Sequence, residues 1–219
     1  MDGTIDAYCE RLGPGFWAEP VNALTNAAFL LAAVLMWRRW PEEPLCRALS
    51  AVLFVIGIGS FLFHTFATPW AAAADVVPIL GYILLYVFAA HLRIWGQGAW
   101  VSLAFALLTI PWIAALTPVF ERLPGFEVSS FYWPILALIL LHAWLLRHRA
   151  PDAARGFVTG AAILAASLTF RSLDAALCGV VPIGTHFLWH VLNATMLGWM
   201  IEVLGRHEAR ALAAGARRG

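Results

Sequence analysis

Seven apolar stretches of the chain are long enough to cross a lipid bilayer, and this feature excludes most folds. They lie near residues 20–37, 46–66, 75–92, 99–116, 130–146, 157–174 and 184–204. A helix of about 20 residues, rising about 1.5 Å per residue, spans the roughly 30 Å of hydrocarbon in a bilayer. The composition agrees, since 62% of the residues are hydrophobic and only 12% are charged. The sequence therefore predicts an all-α, integral membrane bundle of seven transmembrane helices, forming a single domain over residues 1–219.

The basic residues of the chain are all arginines, and they are distributed unevenly among the loops. With the N-terminus outside, eleven of the 14 fall on the inner side: Arg38, Arg39, Arg47, Arg93, Arg147, Arg149, Arg155, Arg206, Arg210, Arg217 and Arg218. Because such residues are retained on the cytoplasmic side, we predict the N-terminus outside and the C-terminus inside, with 1–19 an outer tail and 205–219 a cytoplasmic tail. The wealth of arginine and alanine favours a bacterial inner membrane. No basic run of the kind that binds nucleic acid lies away from the membrane flanks, which excludes that partner.

Polar residues are costly within membrane spans, and those of this chain concentrate at one depth. At the predicted outer ends lie Glu19, Asn22, Asn26, Ser60, His64, Asp75, Arg171, Asp174, His186 and His190. The predicted inner halves are almost purely apolar, which argues against a transporter, because a transporter lines both leaflets with polar groups. We therefore expect the functional site near the outer surface of the membrane.

The histidines of the last stretch predict a metal site. His186 and His190 are four residues apart and share one face of a helix. That pair alone leaves metal binding and a structural role equally open. His64, at the same depth, would complete the three-histidine set with an open position that catalytic zinc uses. Asp75 and Ser60 at this level favour the zinc interpretation.

Two further residues at this depth, Arg171 and Asp174, are three positions apart in the sixth stretch. This spacing predicts a structural ion pair on one helix face. Alternatively, Asp174 could orient a ligand histidine.

The order of these motifs resembles the alkaline ceramidases. The motifs are Glu19-Pro-Val-Asn22-x-x-Thr-Asn26, Ser60-x-x-x-His64, Asp75-Val-Val-Pro78 and His186-x-x-x-His190. The resemblance implies a seven-helix membrane hydrolase that cleaves the amide bond of ceramide-like lipids into a sphingoid base and a fatty acid. It implies further that His64, His186 and His190 hold zinc and that Asp75 and Ser60 assist the chemistry. Asn22 and Asp174 are expected to lie directly behind the ligands.

The same resemblance implies a calcium site in the N-terminal tail, because alkaline ceramidases carry one there. Asp6, Glu10 and Glu19 could supply the oxygen ligands that calcium prefers. The local sequence departs from the family pattern, with one inserted residue and no asparagine after Glu10. Glu19 could equally cap the first helix.

Cysteine positions predict one disulfide bond. Under the predicted topology Cys9 and Cys178 both lie on the oxidising outer side, whereas Cys46 lies at the inner boundary. Disulfide bonds persist in such compartments. We therefore expect a Cys9–Cys178 bridge that ties the tail to the loop before the last helix.

Two other functions use the same zinc site. An esterase or phospholipase would attack a glycerolipid with the same water, and no motif separates amide from ester cleavage. A seven-helix receptor would retain zinc only as a structural ion. Such a receptor would not need Asp75 and Ser60, and their presence favours the enzyme.

Overall fold

The computed structural model describes residues 3–216, with side chains as far as residue 214, and all its regular elements are helical. The helices are α1 (Pro20–Thr25), α2 (Ala27–Arg39), α3 (Pro44–Phe66), α4 (Pro69–Arg93), α5 (Ala99–Glu121), α6 (Trp133–Leu146), α7 (Pro151–Leu177) and α8 (His186–Ala216). A single turn of 3₁₀ helix, Glu127–Ser129, precedes α6. The all-α fold class is confirmed.

Six helical segments are long and apolar enough to span a membrane, when α1 and α2 are counted as one segment. Large apolar side chains such as Leu31, Leu108 and Trp144 are exposed on the outside of the bundle, where they suit contact with lipid. Helix α6 is the exception, because its 14 residues extend only about 21 Å. The chain is therefore a multi-pass membrane protein in which the predicted span at 130–146 is a shorter helix.

The predicted first span, 20–37, is not one continuous helix. It is interrupted at Asn26, which ends α1 and begins α2. The Asn26 side-chain amide donates to the Asn22 carbonyl oxygen at 2.9 Å, and such local hydrogen bonds compete with the regular helical pattern. The interruption leaves α1 as a short, separate helix beside the start of α8.

Prolines set where several helices begin. Pro20, Pro44, Pro69 and Pro151 each occupy the first turn, where a missing N–H costs nothing. Helix α4 consequently starts at Pro69, six residues before the predicted start at Asp75. Asp75 therefore lies in the second helical turn rather than at the helix end.

The helices pack mainly against their neighbours in sequence, and α8 also contacts α1, α2, α3 and α4. Helix α8 thus connects the first and last parts of the bundle. It does not end near residue 204 as expected but continues to Ala216. Residues 205–216 of the predicted cytoplasmic tail are therefore helical, and 217–219 lie outside the described residues.

Ion pairs gather at the end of the bundle opposite the polar outer residues. Glu202 pairs with Arg206 at 2.7 Å and with Arg39 at 3.6 Å, while Arg93 pairs with Glu43 at 3.5 Å and Glu208 at 3.8 Å. These arginines belong to the set predicted to face the cytoplasm.

Candidate metal centre

Three histidines from two helices meet inside the bundle. His64 lies in the last turn of α3, His186 begins α8, and His190 follows one turn later. All three are buried, and one ring nitrogen from each lies within 4.8 Å of the others. Three imidazoles that converge in this way can hold a metal ion.

The hydrogen bonds of two of these rings leave lone pairs facing each other. His64 Nδ1 donates to Glu19 Oε2 at 2.6 Å. The Thr25 hydroxyl gives its own proton to a backbone carbonyl of α1 and therefore accepts from His190 Nδ1, at 2.9 Å. When both rings are neutral, their Nε2 atoms are left as acceptors, and these two atoms lie 3.0 Å apart.

This arrangement fits zinc. Two facing acceptor nitrogens repel each other, and a cation that both coordinate removes that repulsion. Two nitrogens bound to one tetrahedral zinc ion would lie about 3.4 Å apart, close to the spacing found here. The donor set, three neutral imidazoles with a carboxylate and a hydroxyl behind them, is typical of zinc ligands.

His186 supplies the third ring. Its Nδ1 atom is buried without a hydrogen-bond partner in the described residues, a condition that costs roughly 1–3 kcal/mol when nothing compensates for it. The Tyr8 ring stacks on the imidazole with the centroids 3.7 Å apart. The N-terminal tail thus covers the histidines, and burial raises the pKa of the Tyr8 phenol above its ordinary value.

Asp174 orients the backbone that carries His186. Its carboxylate, at the end of α7, accepts from the Thr185 N–H at 2.6 Å and the His186 N–H at 2.9 Å. This is the capping role that acidic residues play at helix N-termini. Gly184 makes the contact possible, because a Cβ there would lie 2.1 Å from the Asp174 carboxylate, and its φ of +66° suits glycine.

The expected ion pair between Arg171 and Asp174 is wrong. The Asp174 carboxylate accepts hydrogen bonds from the backbone N–H groups of Cys9, Thr185 and His186. The Arg171 guanidinium instead donates to the Val128 carbonyl oxygen and, at 3.2 Å, to the Ser129 hydroxyl. Residues three apart on a helix can pair, but here they point to different neighbours.

Cys9 and Cys178 form a disulfide bond, with their Cα atoms 5.4 Å apart. The Cys9 N–H also donates to Asp174 Oδ2 at 3.0 Å. The tail is therefore joined to the end of α7 directly beside the start of α8.

Ser60 and Asp75 lie next to the histidines. Ser60 is one turn before His64 on α3, and its hydroxyl lies beside the Asp75 carboxyl on α4. The helices approach closely because Gly59 has no side chain: a Cβ there would lie 2.0 Å from the Ala74 carbonyl oxygen. This contact brings Asp75 to the side of His64.

Glu19 supports His64 from behind. Besides accepting from His64, the carboxylate accepts from the Asn22 side-chain amide at 3.2 Å and pairs with Arg11. Burial raises the pKa of Glu19, but the hydrogen bonds from His64 and Arg11 outweigh it and hold the pKa below its ordinary value. Asn22 thus contacts the carboxylate that accepts from His64.

The carboxylates expected to bind calcium do not fit that ion. The two Glu10 oxygens accept from the N–H groups of Val21 at 2.6 Å and Asn22 at 2.8 Å. Glu19 is engaged as described above, and Asp6 is exposed. Calcium takes about six to eight oxygen ligands, and in the described part of the chain these three residues do not converge as a ligand set.

Sequence reasoning missed Tyr8 and Arg11, each of which contacts a histidine or its carboxylate partner. Arg11 was visible as a polar residue near the predicted outer end of the first span. No spacing rule links the tail to the histidines, so no sequence pattern indicates that Tyr8 contacts them.

An apolar pocket with a cavity volume of about 70 Å³ lies between α4, α6, α7 and α8. It begins one turn beyond Asp75, at Ile79, and one turn beyond His190, at Asn193, and it reaches His142. The hydroxyls of Tyr82 and Tyr86 in its wall are satisfied by backbone carbonyl oxygens of α8. The pocket therefore offers a hydrocarbon chain a path that starts beside the histidines.

A comparison with curated proteins found no match. A comparison with models of protein families found the ceramidase family, matched over residues 7–211. The matched range begins in the tail that covers the histidines and ends within α8. The chain therefore belongs to the ceramidase family.

Proposed function

We propose that this protein is a zinc-dependent hydrolase that cleaves the amide bond of ceramide-like lipids within the membrane. Family membership supports an amide-bond hydrolase with a lipid substrate. The observation that carries the zinc dependence is the 3.0 Å approach of two acceptor nitrogens, His64 Nε2 and His190 Nε2, beside a third buried histidine.

His64, His186 and His190 would hold the ion. A zinc ion in such a site supplies a water-derived nucleophile at neutral pH and polarises a carbonyl oxygen. Glu19 and Thr25 keep His64 and His190 in the tautomers that direct Nε2 inward.

Asp75 moves the proton. Its carboxylate takes a proton from the attacking water as the water oxygen bonds to the amide carbon, and it returns a proton to the nitrogen as the C–N bond breaks. The products are a carboxylic acid and an amine, which balances amide plus water. The Ser60 hydroxyl, beside Asp75, orients the water or donates to the developing oxyanion.

The apolar pocket would receive the hydrocarbon of the substrate. Its lining is almost entirely apolar, which suits a hydrocarbon chain. Because the pocket starts one turn from Asp75 and His190, a bound chain would present its polar end to the histidines.

The site would face the outer leaflet of a bacterial inner membrane. The supporting observation is that the arginine-rich ion pairs lie at the opposite end of the bundle from the histidines.

Metal analysis combined with a substrate screen tests this function. The detergent-purified protein should contain one zinc per chain and hydrolyse N-acyl sphingoid bases. His186→Ala should lose both properties, whereas His148→Ala, which changes an exposed histidine, should keep both. An active protein without zinc would refute the mechanism. Faster cleavage of matched O-acyl glycerolipids would indicate the esterase, and zinc without hydrolysis of any lipid would indicate the receptor.

A further inference from the structure

A buried arginine lies at the base of the N-terminal tail. Arg11 is only 4% exposed, and its Nε donates to Glu19 Oε1. Its two terminal nitrogens donate to the Gly13 carbonyl oxygen at 3.1 Å and the His64 carbonyl oxygen at 3.0 Å. One guanidinium therefore connects the tail, the residue before α1 and the end of α3.

These are contacts of the kind that a bound cation makes. The guanidinium gathers one carboxylate and two backbone carbonyl oxygens from three separate segments. A guanidinium presents five N–H donors in a rigid plane and stays charged at every physiological pH. It can therefore neutralise Glu19 permanently without any ion from solution.

In the described part of the tail, the remaining carboxylates do not form a site for a second cation. Glu10 caps α1 through both of its oxygens, and Asp6 is exposed and does not converge with Glu10 as a ligand set. A calcium ion would also have to share Glu19 with the positive charge of Arg11, and the two cations would repel each other.

We infer that Arg11 is the built-in cation of this tail, that the protein needs no calcium, and that Arg11 positions His64 through Glu19. The positioning role of Arg11 rests on the proposed zinc site, whereas calcium independence does not. The chain of contacts runs from the guanidinium to one Glu19 oxygen, and from the other Glu19 oxygen to His64 Nδ1. Arg11 is thus a positioning residue that does not touch the ion or the substrate.

Calcium binding can be measured directly on the wild-type protein. Purified protein should hold less than one tenth of a calcium ion per chain after equilibration with millimolar calcium. Its Tm and zinc affinity should be the same in calcium and in a calcium-selective chelator. One calcium per chain, or a calcium-dependent rise in Tm, would overturn the inference.

Variants at Arg11 test the positioning role. Arg11→Gln should weaken zinc binding about 10–100-fold, the range found when a partner behind a metal ligand is removed. Arg11→Lys, which keeps the charge, should recover part of the loss, and Arg122→Gln, at an exposed arginine, should bind zinc like the wild type. Unchanged zinc affinity in Arg11→Gln would overturn the positioning role.

The calcium-binding and zinc-affinity measurements test this inference separately from the proposed function. If no lipid is hydrolysed, the calcium and zinc measurements still decide the role of Arg11. If Arg11→Gln does not fold, the calcium measurement on the wild type still decides whether the tail needs that ion.

Discussion

His64 Nε2 and His190 Nε2 face each other across 3.0 Å, and both are hydrogen-bond acceptors when the two rings are neutral. One ring is fixed by Glu19 and the other by Thr25, so neither can turn to relieve the repulsion without breaking a buried hydrogen bond. Such a pair is stable when a cation lies between the rings. The geometry of these two residues is therefore the strongest sign of a metal centre in the described part of the chain.

Removal of the hydroxyl behind His190 should weaken the metal site. Thr25→Val keeps the shape of the side chain but removes the hydroxyl that accepts from His190 Nδ1–H, so we expect zinc affinity to fall about 10–100-fold. Competition with a zinc-selective chelator measures this change. Thr195→Val, at an exposed threonine of α8, is the control and should bind zinc normally. Equal affinities in the two variants would show that Thr25 does not orient His190.

Replacement of the carboxylate beside His64 should abolish turnover and spare the metal. Asp75→Asn cannot accept a proton from water, and we expect kcat to fall by about 10²–10⁴-fold. Zinc content should remain near one per chain. Asp152→Asn, at an exposed aspartate paired with Arg155, should keep full activity. Loss of zinc together with activity would instead mark Asp75 as a ligand.

The close contact of α3 and α4 should depend on Gly59. In Gly59→Ala the new methyl group would meet the Ala74 carbonyl oxygen, and such overpacking costs about 1–3 kcal/mol of stability. Because the helices must move apart, Ser60 and Asp75 should separate and kcat should fall. Gly81→Ala adds a methyl group to α4 where nothing lies within 4 Å, and it should leave Tm and kcat unchanged or slightly raised. A wild-type kcat in Gly59→Ala would contradict this account.

The disulfide bond should stabilise the tail over the histidines. The double variant Cys9→Ala/Cys178→Ala should lose roughly 2–5 kcal/mol of stability, because the bridge joins residues 169 positions apart. Reductant should lower the Tm of the wild type and leave that of the double variant unchanged. Mass mapping under non-reducing conditions that finds both thiols free would refute the bridge.

The sequence was sufficient to group the candidate site residues, because polar residues are costly in lipid and their positions along each span are visible. Ser60, His64, Asp75, His186 and His190 share one predicted level, and the structure brings all five to one end of the bundle. The helix starts were less accurate, since Pro69 and Pro151 begin helices in stretches that carry little hydrophobic signal.

Contacts between the tail and the bundle could not be predicted in this way. Arg11 and Tyr8 reach the histidines because the folded tail lies over them, and no periodicity relates residue 8 to residue 186. The error at Arg171 has a similar origin. Its spacing from Asp174 permits an ion pair, but the carboxylate caps α8, which is adjacent only in the folded chain.

Anomalous X-ray scattering at the zinc absorption edge, on crystals of the wild-type protein, tests the metal centre most directly. The account predicts one zinc peak per chain, about 2.0–2.1 Å from one nitrogen each of His64, His186 and His190. The same crystals of His190→Gln should show no such peak. Crystals of active wild-type protein with no zinc peak among these three histidines would contradict the account.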